Sequence, residues 1–250
     1  MNSNLRIRLD TTSAQHAQLL ELQALFAAVC NALAPVVQST KCWNRVALHH
    51  LAYRNMRLQF PALGSQMICN ALYSVSRASR LVYQHPQSPF NLQRLAGRPL
   101  PCLQFLPQSP VYFDRHTLSL KAGQASMYTL DGRMRFNLPL AAADEQRFRS
   151  ARLREIVLLS VDGSFVLDFS FGGEADAAGA NGSAAAADAA ALAAGTSELP
   201  QYLVVLHGPP ATQPGPAVRP EGAAAASPAR TAKDSPASAA AHAHAASAAP

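Results

Sequence analysis

The chain has 250 residues, room for one large domain or two small ones, and a formal net charge of +6. Residues 1–171 hold 18 Lys and Arg against 9 Asp and Glu, net +9, whereas residues 172–250 hold 3 against 6, net −3. A basic part dominated by arginine favours a polyanionic partner, and the four cysteines (Cys30, Cys42, Cys69, Cys102) show neither the Cys-x-x-Cys spacing nor the histidine of a zinc knuckle.

The N-terminal MNSNLRIRLD has no apolar signal core, and no run in the chain reads as long enough to span a membrane, so the expected location is cytoplasmic with reduced thiols. Leu5, Ile7 and Leu9 alternate with Arg6 and Arg8, which predicts a short strand with a basic outer face. Asp10, Thr11, Thr12 and Ser13 supply helix-capping chemistry. Leu19, Leu22, Phe26, Val29 and Leu33 then recur at helical spacing, and Pro35 is expected to end or kink the helix.

A second helix is predicted from about Asn44 to Gln59, with Leu48, Leu51 and Leu58 as core contacts. Its surface carries His49, His50, Tyr53, Arg54 and Arg57. Adjacent histidines point about 100° apart on a helix and no third ligand accompanies them, so no metal is expected. The third helix, over Ser65–Gln84, divides cleanly. Ile68, Ala71, Leu72, Val75, Ala78 and Val82 form an apolar stripe, with Ser65 at the N-cap. Gln66, Asn70, Tyr73, Arg77 and Arg80 form an opposite polar stripe without an acid, suited either to solvent or to phosphates and base edges.

From His85 to Pro110 six prolines predict an irregular connection. Antiparallel strands follow, with turns at Ala122–Gly123, Asp131–Gly132 and Asp162–Gly163. Met134, Phe136, Leu138 and Leu140 share one face of their strand, Arg133, Arg135 and Asn137 the other, and Phe165, Leu167, Phe169 and Phe171 alternate inward. ADEQRFRSARL reads as a short polar link, helical at most. Residues 174–197 read as a low-complexity insertion in a hairpin, Gln201–Leu206 as its returning strand, and 209–250 as a disordered Ala/Pro-rich tail. The expected fold class is α+β: a small antiparallel β-barrel with an inserted lobe of about three helices. The expected boundaries are 1–12 (first strand), 13–85 (helical lobe), 86–110 (connection), 111–172 (barrel), 173–208 (insertion and last strand) and 209–250 (tail).

The order strand, helices, LHHLAYRNMRLQFPALGSQMICNAL, then YFDRHTLSLKAGQASMYTLDGRMRF resembles the N-terminal half of TnpB/OrfB-type transposon proteins, relatives of the type V CRISPR nucleases. The matching positions include Leu48, His49, Tyr53, Arg57, Leu63, Ser65, Gln66, Asn70 and Ala71. Asp114, Ser119, Leu120, Gly132 and Arg133 match in the strand region, and Gly163, Phe165 and Leu167 in the hairpin after it. Gly64 departs from the usual proline. The resemblance, over about Leu5–Phe171, implies a wedge-shaped barrel with a helical recognition lobe that grips guide RNA and the motif flanking a DNA target.

Its implied partners are therefore guide-like RNA, transposon-end DNA, or both. The contact residues would be Tyr53, Arg54, Arg57, Ser65, Gln66, Asn70, Tyr73, Arg77, Arg80, Arg133 and Arg135. The family's nuclease half, with its converging carboxylates and paired Cys-x-x-Cys zinc ribbon, is not found in this sequence. The carboxylates after Gly173 are scattered through low-complexity sequence, and Val161–Asp162–Gly163 reads as a turn between alternating strands. The expectation is a nucleic-acid-binding protein that is not an enzyme and holds no cofactor or metal. The alternatives are the recognition subunit of a split nuclease with its catalytic half on a separate chain, a decayed transposase fragment, or a protein-interaction scaffold.

Overall fold

Alternation writes the first strand. In the computed structural model, which describes residues 3–121, 123–172 and 200–206, β1 (Ser3–Arg8) buries Ile7 and exposes Arg6 and Arg8. It pairs antiparallel with β8 (Ser164–Gly172), Leu5 opposite Phe169 and Ile7 opposite Leu167. Arg6 Nε donates to Asp168 Oδ2 at 2.8 Å across this ladder, joining positions 162 residues apart. The expectations for 174–197 and 209–250 lie outside the described residues. The described residues all belong to one compact unit.

Helix α1 (Ser13–Thr40) starts at a capping box, in which the Thr12 hydroxyl accepts from Gln15 N–H and the Gln15 side chain accepts from Thr12 N–H. Leu19, Leu22, Phe26, Val29 and Leu33 are fully buried, as predicted. Pro35 does not end the helix: it lies inside, and the last turn closes at Lys41 in the left-handed conformation, φ 53°. Burial of Ala34 and Val37 on either side offsets the hydrogen bond that proline cannot make. This helix also corrects the expectation that no run is of membrane-spanning length. It is long and apolar enough to cross a membrane, and half of its most apolar 18-residue window is buried within the fold.

Helix α2 (Arg45–Gln59) is capped by Asn44, whose side chain accepts from Val46 and Ala47 N–H. Its inner face is Leu48, Ala52 and Met56; Leu51 and Leu58 are 55% and 74% exposed, which corrects two of the three predicted core contacts. The buried positions repeat every four residues from Leu48, and that phase turns positions 51 and 58 outward. Helix α3 (Ser65–Tyr83) buries the whole predicted apolar stripe against α1 and α2. Its cap is Gly64 rather than Ser65, with no side-chain hydrogen bond.

The proline-rich connection is more ordered than predicted. It contains α4 (Leu92–Leu95), capped by Asn91, and β2 (Cys102–Phe105). β2 pairs with β9 (Leu203–Leu206), Cys102 opposite Leu206 and Phe105 opposite Leu203. The predicted returning strand therefore exists, but its neighbour is β2 and not the hairpin before it. On α1, Asn31 completes the arrangement: its amide donates to Phe105 O at 2.9 Å and accepts from Phe105 N–H at 2.7 Å, as a neighbouring strand would.

β7 (Arg152–Val161) lies between β8 and β3 (Val111–Phe113), which completes the sheet of order β1-β8-β7-β3. Asp162 and Gly163 close the β7–β8 hairpin with φ 49° and 71°, as the Asp-Gly signal predicts. The other hairpin shifts by one residue: Gly132 already pairs with Thr129, so Leu130–Asp131 form the loop of β5 (Gln124–Thr129) and β6 (Gly132–Asn137). β4 (Leu118–Lys121) completes this second sheet, of order β4-β5-β6.

Among the described residues the strands do not close into the predicted small barrel; they make three separate antiparallel sheets. The chain reverses between β3 and β4, where Asp114 Oδ1 accepts from His116 and Thr117 N–H, and Pro139, two residues past β6, has no N–H to extend a ladder. The polar link becomes α5 (Ala142–Ser150), whose Phe148 stands edge-on to Phe169 and Phe171.

Candidate nucleic-acid interface

The polar stripe of α3 does not face solvent. A bulge between Leu153 and Glu155 shifts the register of β7, and Glu155 shares a sheet face with Val157 and, on β3, Tyr112. Against that face stands α3. Tyr73 Oη donates to Glu155 Oε1 at 2.8 Å, and Arg77 Nη1 donates to the same oxygen at 2.9 Å. The Tyr73 and Tyr112 rings meet edge-on, 5.5 Å apart. Burial works against the charge of Arg77, but Tyr112, Glu155 and Tyr73 outweigh it and raise its pKa. Burial likewise pushes the Tyr112 phenol well up.

Two turns nearer the start of α3 than Tyr73, the amide of Gln66 donates to Asp114 Oδ2. Asn70 is 4% exposed and donates to Thr117 Oγ1 at 3.3 Å. Both amides hold the Asp114–Thr117 turn, whose Oδ1 also accepts from the Thr117 hydroxyl at 2.9 Å. Arg80 is half-buried and donates to Ser76 Oγ at 2.8 Å. Gln66, Asn70, Tyr73 and Arg77 form a second packing face, in which Gln66 meets a carboxylate 48 residues downstream and Tyr73 one 82 residues downstream.

The remaining candidates separate in space. On α2, Tyr53 stacks on His49 with ring centroids 4.5 Å apart, Arg57 donates to Leu63 O, and Arg54 is exposed. Ser65 is exposed at the first turn of α3. Arg133 and Arg135 stand on the outer face of the β4–β6 sheet, whose three strands contain no Asp or Glu.

That outer face is organised around Arg133. Its guanidinium lies over the Tyr128 ring, 4.5 Å from the centroid. It donates to Ser126 Oγ at 3.1 Å, Ser126 O at 3.2 Å, Ser119 Oγ at 3.3 Å and His116 O at 3.4 Å. The strand register places Tyr128 opposite Arg133 and Ser126 opposite Arg135. Tyr128 remains 44% exposed, and Arg135 makes no ion pair among the described residues. Lys121, Gln124 and Asn137 complete the row on the same face. The arrangement offers a flat π surface, a fixed cation and further cations beside it. Sequence reasoning selected Arg133 and Arg135 but missed Tyr128; its signal was the hairpin register, which sets Tyr128 across from Arg133.

Among the described residues, no group of three or more His, Cys, Asp or Glu side chains is placed to hold a metal ion. No family model matches the chain, and no curated protein matches it.

Proposed function

We propose that this protein binds nucleic acid, as its resemblance to the recognition half of the TnpB/OrfB-type proteins implies, and that the outer face of the β4–β6 sheet is the contact surface. The observation that carries this reading is Arg133 held over the exposed Tyr128 on a sheet face free of carboxylates. Stacked aromatic and guanidinium groups on a positive surface accept bases and phosphates together. The +9 charge of residues 1–171 supports the same class of partner. Arg54 and Arg135 add exposed cations.

The proposed role is recognition rather than cleavage. Asp114, Glu155 and Asp168 are each engaged by side chains of the fold, Gln66, Tyr73 with Arg77, and Arg6 respectively. A salt titration of binding to labelled single-stranded RNA, single-stranded DNA and duplex DNA tests the reading. Tyr128→Ala is expected to weaken binding by about 1–3 kcal/mol. Arg135→Ala is expected to make the salt dependence shallower by roughly one counterion. Equal binding by both variants and wild type at every salt concentration would remove the sheet face from the interface. Cleavage of the same substrates with Mg²⁺ would overturn the recognition-only role.

A further inference from the structure

The outer face of the β4–β6 sheet is built in rows. Tyr128 and Arg133 stand opposite each other, then Ser126 and Arg135, then Gln124 and Asn137. On β4, Ser119 extends the second row and Lys121 the third. Rows on one face lie two residues apart, about 7 Å along the strands. A strand in a duplex rises only about 3.4 Å per nucleotide, so the row spacing suits a strand drawn out of its stack. The charge suits it as well. The three strands carry no carboxylate, and Asp131 at the hairpin tip is engaged by Gln18 at 3.1 Å.

The third row holds a pair of amides. Gln124 Nε2 donates to Asn137 Oδ1 at 3.3 Å, and both residues are exposed. Gln124 Oε1 and Asn137 Nδ2 make no hydrogen bond among the described residues. One acceptor and one donor therefore remain side by side, next to Lys121. Adenine presents the complement, an N6 donor next to the N7 acceptor, and amide side chains answer it with two hydrogen bonds. In the first row, Arg133 covers one face of the Tyr128 ring, and Tyr128 is still 44% exposed. That makes a platform for a base with a cation against it.

We propose that this face binds an unpaired strand laid along the β5–β6 hairpin, one base stacked on Tyr128, a phosphate at Arg135, and the next base, an adenine, read by Gln124 and Asn137. The inference rests on the sheet-face reading above and adds to it the state of the strand and the base it favours. In a duplex both faces of a base are covered by its neighbours, so Tyr128 would have nothing to stack on. An acidic peptide would answer Lys121 and Arg135 but offers no flat ring to Tyr128.

The full chain would be titrated, by fluorescence anisotropy, with a short uridine RNA and with the same RNA carrying adenine at every second position. The DNA counterparts of both, and the adenine-containing RNA annealed to its complement, complete the set. The adenine-containing single strand is expected to bind roughly tenfold tighter than the uridine strand, and tighter than the duplex. Gln124→Ala with Asn137→Ala should bring the two single strands to equal affinity and leave the uridine strand bound as by the wild type. Tyr128→Ala should weaken both single strands alike. Circular dichroism melts of the variants check that the fold is kept, and the wild-type comparisons need no variant. An adenine preference in RNA alone, or in DNA alone, supports the proposal and assigns the sugar. If Tyr128→Ala and Arg135→Ala leave every strand bound as before, the sheet-face reading fails and this inference with it. If they weaken binding, four results overturn this inference alone. They are equal affinity of the wild type for the two single strands, a duplex bound as tightly as the adenine-containing strand, an adenine preference that survives loss of both amides, and displacement of the strand by an equal concentration of glutamate peptide.

Discussion

Arg77 on α3 and Glu155 on β7 meet at 2.9 Å, 78 residues apart in the chain, with side chains only 30% and 16% exposed. Tyr73 shares the same carboxylate oxygen. A stripe that looks like a nucleic-acid face in isolation thus ties the helices to the four-stranded sheet. Arg77→Ala leaves Glu155 half-satisfied in a screened position, and the expected loss is about 2 kcal/mol. Arg54→Ala, on the exposed side of α2, should change stability by no more than about 0.5 kcal/mol. Denaturant unfolding of both variants checks this; equal midpoints would return the α3 stripe to the surface.

Pro35 interrupts the hydrogen bonding of a helix that continues to Thr40. Pro35→Ala restores an N–H donor to the carbonyl one turn earlier. The gain is offset in part by a more flexible unfolded chain. The expected net effect is a stabilisation of about 1–2 kcal/mol, read from thermal or urea unfolding. A lower melting temperature would mean that a bend at Pro35 is required by the packing of Val37 on the core.

β9 covers one edge of β2, and Leu203, 6% exposed, contributes to the core. A chain ending at residue 199 should therefore melt below one ending at residue 208, because the shorter chain exposes Leu103 and Phe105 and unpairs the β2 ladder. Circular dichroism melts of the two truncations decide it. Coincident melts would show that β2 is held adequately by Asn31 alone.

Burial pushes the Cys30 thiol up to about 12, and it raises Cys69, Cys102, Tyr83 and Tyr202 as well. Each of these groups is neutral when protonated and keeps its proton longer in the folded state. Their contribution to stability is complete below the unfolded pKa, about 9 for the thiols, and is lost as pH rises toward the folded values. Unfolding free energy should be flat from pH 7 to about 8.5 and should fall steadily above about 9. Cys30→Ala should flatten part of that decline. A curve for Cys30→Ala parallel to wild type would remove Cys30 as a cause.

Local periodicity wrote much of this fold. The apolar stripes of α1 and α3, the outward arginines of β1 and β6, the inward phenylalanines of β8 and the Asp162–Gly163 turn all follow from spacing within one element. These are properties of the helical and pleated repeats, and each needs only its own segment. The α+β class follows from them.

Tertiary structure decided what the repeats leave open. Pairing of β2 with β9 rests on backbone groups, which carry no sequence signature among the surrounding prolines. Whether the strands close on one another depends on turn geometry and on which ladder edges end in proline, so among the described residues three sheets stand where alternation alone suggested one barrel. The fate of Gln66, Asn70, Tyr73 and Arg77 depended on Asp114, Thr117 and Glu155. A polar helix face in a sequence is an unassigned set of donors. Water, a ligand and a distant carboxylate satisfy those donors equally well on paper, and only the packed chain brings the carboxylate to them.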